Sequence, residues 1–269
     1  MWLEVVLLAV VQAITEFLPV SSSGHLLIIP ELFGWEEPML TSITLAVALH
    51  LGTGLALVAA LWSDWRWLVS GMLGNGPDVV ITRRLSLAII GSTLFIGAIA
   101  IPLQDIFAGL RDPVLASTLL IGFGVALGLA DRFGRQASSL RSTSFSVWLL
   151  VGAAQIISLI PGVSRSGITM TVGRSLGVDR STAARFSLLL MGPAVAGAGL
   201  MQLVNALQTD EMVGDVWLLA VGTLVAAIVG TLTVRWLLGF VERQSLGLFA
   251  LYRVVVGIVV LVVLVWQGV

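Results

Sequence analysis

Gln12-Ala13-Ile14-Thr15-Glu16-Phe17-Leu18-Pro19-Val20-Ser21-Ser22-Ser23-Gly24-His25 closes an apolar run that starts at Trp2 and reaches only Leu18. Crossing the hydrocarbon core of a bilayer takes about 20 apolar residues. This run stops short, at a Pro/Ser/Gly segment flanked by Glu16 and His25, and apolar residues resume after it. The chain repeats the device: the run Phe145–Ile160 ends on Pro161-Gly162-Val163-Ser164-Arg165-Ser166-Gly167. At a constant offset of 143, residues 12–25 and 155–168 share six of fourteen positions: Gln12/Gln155, Ile14/Ile157, Val20/Val163, Ser21/Ser164, Ser23/Ser166 and Gly24/Gly167. An apolar helix that halts at a polar loop and resumes is the pattern of a broken or re-entrant helix.

The rest of the chain supplies the setting for such helices. Hydrophobic residues make up 58% and charged residues only 11%, against roughly 25% charge in a soluble domain, and mean hydropathy is +1.05. Besides the two short runs there are six longer ones, Leu40–Trp62, Leu85–Leu103, Val114–Ala130, Phe186–Leu207, Val216–Leu238 and Leu246–Trp266. The expected fold is an all-α polytopic membrane protein of six transmembrane helices and two re-entrant helical hairpins. It forms a single membrane domain over 1–269 with repeat 1 at about 1–135 and repeat 2 at about 144–269. A cleavable signal peptide is not expected, because the first Arg is Arg66 and a signal opens with positive charge.

Absences narrow the chemistry. With no cysteine and no lysine, disulfides, thiolate nucleophiles, Walker-type phosphate loops and Schiff bases are excluded. A net charge of −1 without a basic run argues against nucleic acid.

Arginine placement bears on topology. If each broken segment enters and leaves on one side, Asp64–Arg84, Asp131–Arg141 and Arg174–Arg185, with three Arg each, share a side with Glu242 and Arg243. Glu31, Glu36, Glu37, Asp105, Asp112, Asp210, Glu211 and Asp215 then fall on the other side, with Arg111 as its one loop arginine. That is a positive-inside asymmetry. It leaves three true spans per half, so the halves are inverted, both termini lie outside, and the two broken loops approach from opposite sides to meet near the midplane.

Ionisable groups at membrane depth need a reason to be there. Glu16, His25, His50 and Arg165 are the main ones, with Arg235 and Arg253 near span ends. Arg165 stands in a Ser164-Arg165-Ser166-Gly167 nest whose hydroxyls, backbone N–H groups and guanidinium suit a phosphate; bonding the carbonyls of its own broken helix is the structural alternative. Ser22 is its counterpart in the first loop, with Ser21 and Ser23 beside it as phosphate donors or helix caps. Gln12 and Glu16, four residues apart on one helix face, could share a hard cation, or Glu16 could pair with an arginine. His25 could be base, acid or nucleophile. Ser22, His25 and water all remain candidates for the nucleophile. His50, within a span and without an acid nearby in sequence, reads as a packing or helix-to-helix hydrogen-bonding residue, and the nine Trp as interfacial anchors.

Residues 12–25 resemble the (Glu/Gln)-x-x-x-Glu motif and Ser/His loop of the undecaprenyl-diphosphate phosphatases of the bacitracin-resistance type. Pro161-Gly162-Val163-Ser164-Arg165-Ser166-Gly167-Ile168-Thr169 is similar to their Pro-Gly-x-Ser-Arg-Ser-x-x-Thr motif. The likeness implies hydrolysis of undecaprenyl, or another polyprenyl, diphosphate to the monophosphate plus inorganic phosphate. It places the reaction at the outer, periplasmic face of the bacterial inner membrane, where it recycles the lipid carrier for peptidoglycan and confers bacitracin resistance. It implies Glu16, Ser22, His25 and Arg165 as catalytic residues, Ser21, Ser23, Ser164, Ser166, Gly167 and Thr169 as substrate-binding, and a divalent cation, Mg2+ or Ca2+, on Glu16 and Gln12. The partners are the lipid substrate and the bilayer, with room for a homodimer. Many members carry Glu where this chain has Gln12.

Two neighbouring classes share part of this pattern. A second group of membrane lipid phosphatases has Ser-Gly-His and Ser-Arg but requires a Lys-Arg-Pro motif and a His six residues after that Arg, where this chain has Thr171. A lipid-phosphate transporter or flippase would use the same inverted architecture, yet a carrier has no need of a base beside a hydroxyl, which Glu16, Ser22 and His25 supply.

Overall fold

Apolar segments such as Ile43–Ala60 become helices here because a backbone in lipid must satisfy its own hydrogen bonds, and the computed structural model follows that rule throughout. It describes residues 1–35, 37–110, 112–208 and 215–267. Among them all regular structure is helical apart from one isolated bridge between Ser138 and Val178. In chain order the helices are α1 (Trp2–Thr15), α2 (Ser22–Phe33), α3 (Ile43–Ala60), α4 (Trp62–Met72), α5 (Val79–Ala100), α6 (Gln104–Gly109), α7 (Pro113–Phe133), α8 (Phe145–Ala153), α9 (Arg165–Ser175), α10 (Arg180–Gln208), α11 (Val216–Arg243) and α12 (Gly247–Gln267). A 3-10 segment, Ala154–Leu159, prolongs α8 toward the second break.

Six helices, α3, α5, α7, α10, α11 and α12, are long and apolar enough to cross a membrane, and each coincides with one of the six long runs. The sequence reading misses α4 and α6. Asp64 and Arg66 interrupt any apolar run in α4, and its helicity comes from burial of Leu68 and from Trp65, which fills the space beside Gly192 in α10. Trp148 also departs from expectation. It is buried against Phe186, with ring centroids 4.1 Å apart, and packs the core instead of anchoring at the interface. Glu36, Arg111, Asp210, Glu211 and Val269 lie outside the described residues, as do the side chains of Glu31 and Asp105.

The packing crosses between the halves. α1 lies on α11 and α8 on α5, α3 on α11 and α10 on α5, while α7 pairs with α12 and α3 with α10. Close approach uses small residues, as helices in lipid must: a Cβ on Gly52 would collide with the Thr223 carbonyl oxygen, and one on Gly257 would stand 2.9 Å from that of Ser117.

One end of the molecule gathers the arginine-rich loops. Asp131, buried, accepts from Arg174 Nε at 3.1 Å, Arg180 Nε at 2.7 Å and the Leu246 amide at 3.0 Å. Arg174, fully buried, also donates to the carbonyls of Asp131, Gly134, Arg135 and Val178. Arg185 pairs with Asp64 and Arg141 with Asp78, each at 2.8 Å. The segments expected to share a side are therefore tied to one another. The chain entering α8 meets the chain leaving α9 at the same place, where the Ala137 and Ser138 amides donate to the Gly177 carbonyl. Similarly, Glu4 at the start of α1 and Gly34 and Trp35 after α2 line one surface hollow.

Candidate active site

Both breaks are built alike from the backbone upward. Ser21 and Ser164, 143 residues apart, are the two non-glycine residues with positive φ among the described residues, at +75° and +70°. Each directly precedes a helix, so Ser22 and Arg165 are the first residues of α2 and α9. Side chains rarely accept such backbone angles, and where they do the surroundings hold the strain in place, often at a functional site. Ser164 caps α9 by accepting from the Gly167 amide at 3.1 Å.

The loops touch. Ser166 Oγ donates to the Leu18 carbonyl at 2.9 Å, across from the second break to the first. Arg253 of α12, fully buried, locks the contact. Its Nη1 donates to the Pro19 carbonyl at 3.3 Å, its Nη2 to those of Gly162 and Val163 at 3.0 and 2.8 Å, and its Nε to that of Leu120 in α7 at 3.3 Å. Glycine at 167 makes room for this guanidinium, since a Cβ there would collide with Arg253 Nη1. From sequence, Arg253 is only a residue near a span end. Its signal was the charge itself, alone with one tyrosine in the most apolar span.

On the first loop, Ser22 Oγ donates to Glu16 Oε2 at 2.6 Å, and Gln12 Nε2 donates to the same oxygen at 3.1 Å. Ser22 is therefore paired with Glu16 and not with His25. His25 is buried and held at both ring nitrogens: Nδ1 lies 2.7 Å from the Ser21 carbonyl oxygen and Nε2 2.8 Å from the Tyr252 hydroxyl. A carbonyl only accepts, so Nδ1 carries a proton and the neutral ring presents its lone pair at Nε2.

Arg165 is half-buried, and among the described residues its guanidinium has no hydrogen-bond or ion-pair partner. That disposes of the alternative in which it bonds the broken helix; Arg253 fills that role. Of the remaining expected residues, Ser21 and Ser23 lie 3.4 Å apart through their hydroxyls, with Ser23 exposed. Ser164 and Ser166 are 3.2 Å apart and buried. Thr169 points away from the loops, its hydroxyl 2.7 Å from that of Ser187 in α10 and bonded to the Arg165 carbonyl, so it braces α9. His50 bonds the Ala46 carbonyl of its own helix at 2.8 Å.

A cation finds a partial set of ligands here. Gln12 Oε1 is buried without a partner, as is Gln155 Oε1 at the matching position of the second half, and Glu16 has its second carboxylate oxygen free of hydrogen bonds among the described residues. No group of three or more acidic or His side chains suited to a metal occurs among the described residues. The donors fit a hard cation held by one carboxylate and one amide oxygen with phosphate oxygens completing the shell, the way Mg2+ is commonly bound. They do not form an all-protein cage.

Beside this polar cluster an apolar crevice of about 220 Å³ opens between α2 and α12, lined by His25, Ile29, Tyr252, Val255, Val256, Val259 and Val260. It joins the site through His25.

Residues 5–259 match the family described as bacitracin resistance protein BacA. Proteins named undecaprenyl-diphosphatase resemble the chain along its length. That of Desulforudis audaxviator (strain MP104C) is 41% identical over 98% of both chains, that of Trichlorobacter lovleyi 39% over 97% of both, and that of Geobacter metallireducens 40% over 95% of both.

Proposed function

The chain belongs to the bacitracin resistance protein BacA family, and on that premise we propose that it is a multi-pass membrane phosphatase that hydrolyses undecaprenyl diphosphate. The observation that carries the reading is the contact of the two broken loops. It joins the loop that carries a carboxylate-paired hydroxyl, Ser22 on Glu16, to the Ser164–Gly167 nest, whose Arg165 guanidinium has no partner among the described residues. The architecture we infer is a pair of inverted repeats, about 1–135 and 144–269, each opening with a re-entrant hairpin. The matched strain at Ser21 and Ser164, the crossed packing of the halves and the return of each hairpin to the end it started from support this.

The isoprenoid chain lies along the crevice between α2 and α12, and the diphosphate reaches the loops from the outer face of the inner membrane. Arg165 grips the terminal phosphate with its two-pronged guanidinium, and the Ser164–Gly167 nest adds donors. Ser22 Oγ attacks the terminal phosphorus and passes its proton to Glu16 Oε2, 2.6 Å away. The Oγ–P bond forms as the anhydride P–O bond breaks, and undecaprenyl phosphate leaves. Water then cleaves the phosphoserine, giving up its proton to His25 Nε2. A divalent cation, Mg2+ or Ca2+, held by Glu16 and Gln12, would neutralise charge on the diphosphate.

The transporter alternative is set aside, because the relatives carry a hydrolase's name and the hydroxyl–carboxylate pair is apparatus for bond cleavage. Purified protein supplied with undecaprenyl diphosphate should release one phosphate per lipid and lose that activity with a chelator. Absence of phosphate release at saturating lipid and cation would overturn the phosphatase reading.

A further inference from the structure

Tyr252 is the one tyrosine of the chain, and its hydroxyl occupies the only ring nitrogen of His25 that can accept a proton. The two ring planes are nearly parallel, 9° apart with centroids 5.7 Å from each other, and the hydroxyl lies 2.8 Å from Nε2. On its other side Tyr252 lines the apolar crevice, in a row with Val255, Val256 and Val259 at the three- and four-residue spacing of one α12 face. One side chain therefore touches both the working nitrogen and the channel assigned to the lipid chain.

We propose that Tyr252 is a specificity-determining latch on His25: it holds Nε2 in the resting protein and releases it when an isoprenoid chain fills the crevice. The inference rests on the phosphatase reading. Its physical basis is the use of binding energy from a remote part of the substrate to drive a rearrangement at the reacting centre. A diphosphate without a tail reaches the polar loops but has nothing to place against Tyr252. A prenyl diphosphate buries apolar surface in the crevice, and as the ring shifts its hydroxyl exchanges His25 for an anionic phosphate oxygen. Nε2 is then free for water.

Two readouts test this with full-length protein in detergent. The first compares kcat/KM for undecaprenyl diphosphate and for inorganic diphosphate in the wild type and in Tyr252→Phe, which keeps the ring and removes the O–H. A net hydrogen bond of about 1 kcal/mol corresponds to roughly fivefold. The variant should therefore gain about fivefold on inorganic diphosphate relative to the lipid, lowering the preference for the lipid about fivefold. A parallel fall on both substrates, or an unchanged ratio, would refute the latch. The second uses 15N-histidine label, which reports only His25 and His50. The Nε2 signal of His25 should move in Tyr252→Phe, and in the wild type it should move the same way when a non-hydrolysable methylene analogue of a prenyl diphosphate is added. Identical Nε2 signals in the wild type and the variant would also sink the proposal. If the wild type hydrolyses no prenyl diphosphate, the phosphatase reading fails, and the resting 15N comparison still decides whether Tyr252 occupies Nε2.

Discussion

Replacing Arg253 by Met should separate the two broken loops. The side chain is fully buried and donates to four carbonyls, and Met retains its length and apolar stem while removing every donor. Leu120 lies inside α7, where the helix ladder still serves its carbonyl. Pro19, Gly162 and Val163 are loop residues, and their carbonyls would be left buried. At about 1 kcal/mol for each orphaned acceptor, the low end of the range, the loss is about 3 kcal/mol. That is roughly a hundredfold shift toward loops out of register. Turnover on undecaprenyl diphosphate should fall by a similar factor, and the unfolding midpoint in detergent should drop by about 6–10 °C. Arg253→Lys, with three donors on a flexible stem, should fall between. The measurements are phosphate release and a thermal melt on the same preparation. A Met variant with kcat/KM within threefold of wild type and an unchanged midpoint would show that Arg253 does not hold the loops together.

Arg165→Lys should lose at least about tenfold in kcat/KM, the equivalent of one charge-assisted bond, while its melting midpoint stays put because no described residue leans on this guanidinium; wild-type kinetics would make Arg165 a bystander. Gly162→Ala should destabilise by more than about 1 kcal/mol, since φ is +91° and the new Cβ would collide with the Ala116 carbonyl oxygen; a neutral thermal melt would contradict the loop geometry. His50→Gln should leave turnover within about twofold, because among the described residues this ring bonds only its own helix; a large loss would mean the wrong histidine was assigned to the chemistry. Acid quench during turnover should trap phosphate on Ser22, and an acid-labile phosphohistidine at position 25 would reverse the order of the two groups.

The sequence by itself determined the all-helical class, the six spans and the positions of both breaks. These depend on local quantities, the length of an apolar run and where Pro, Gly and Ser interrupt it, and all six long runs reappear as helices with ends shifted by a few residues. It also determined which polar groups lie deep enough to need a purpose. The loop arginines follow the same logic, since their clustering in a few polar segments can be counted from the chain before any contact is known, and Asp131, Asp64 and Asp78 supply the partners. Only the tertiary structure decided how the site is paired. Ser22 on Glu16 is a six-residue contact around a strained turn, and the choice between Glu16 and His25 as its partner turns on Ser21 adopting a positive φ, which no composition rule requires of a serine. Tyr252 lies 227 residues from His25, and Arg253 lies 90 to 234 residues from the carbonyls it holds. Their meaning comes from α12 packing on α7 beside both breaks, and a contact between segments so distant in the chain leaves no periodic trace in either one. Periodicity records which face of a helix is buried. Which partner covers that face is settled by the docking of whole helices.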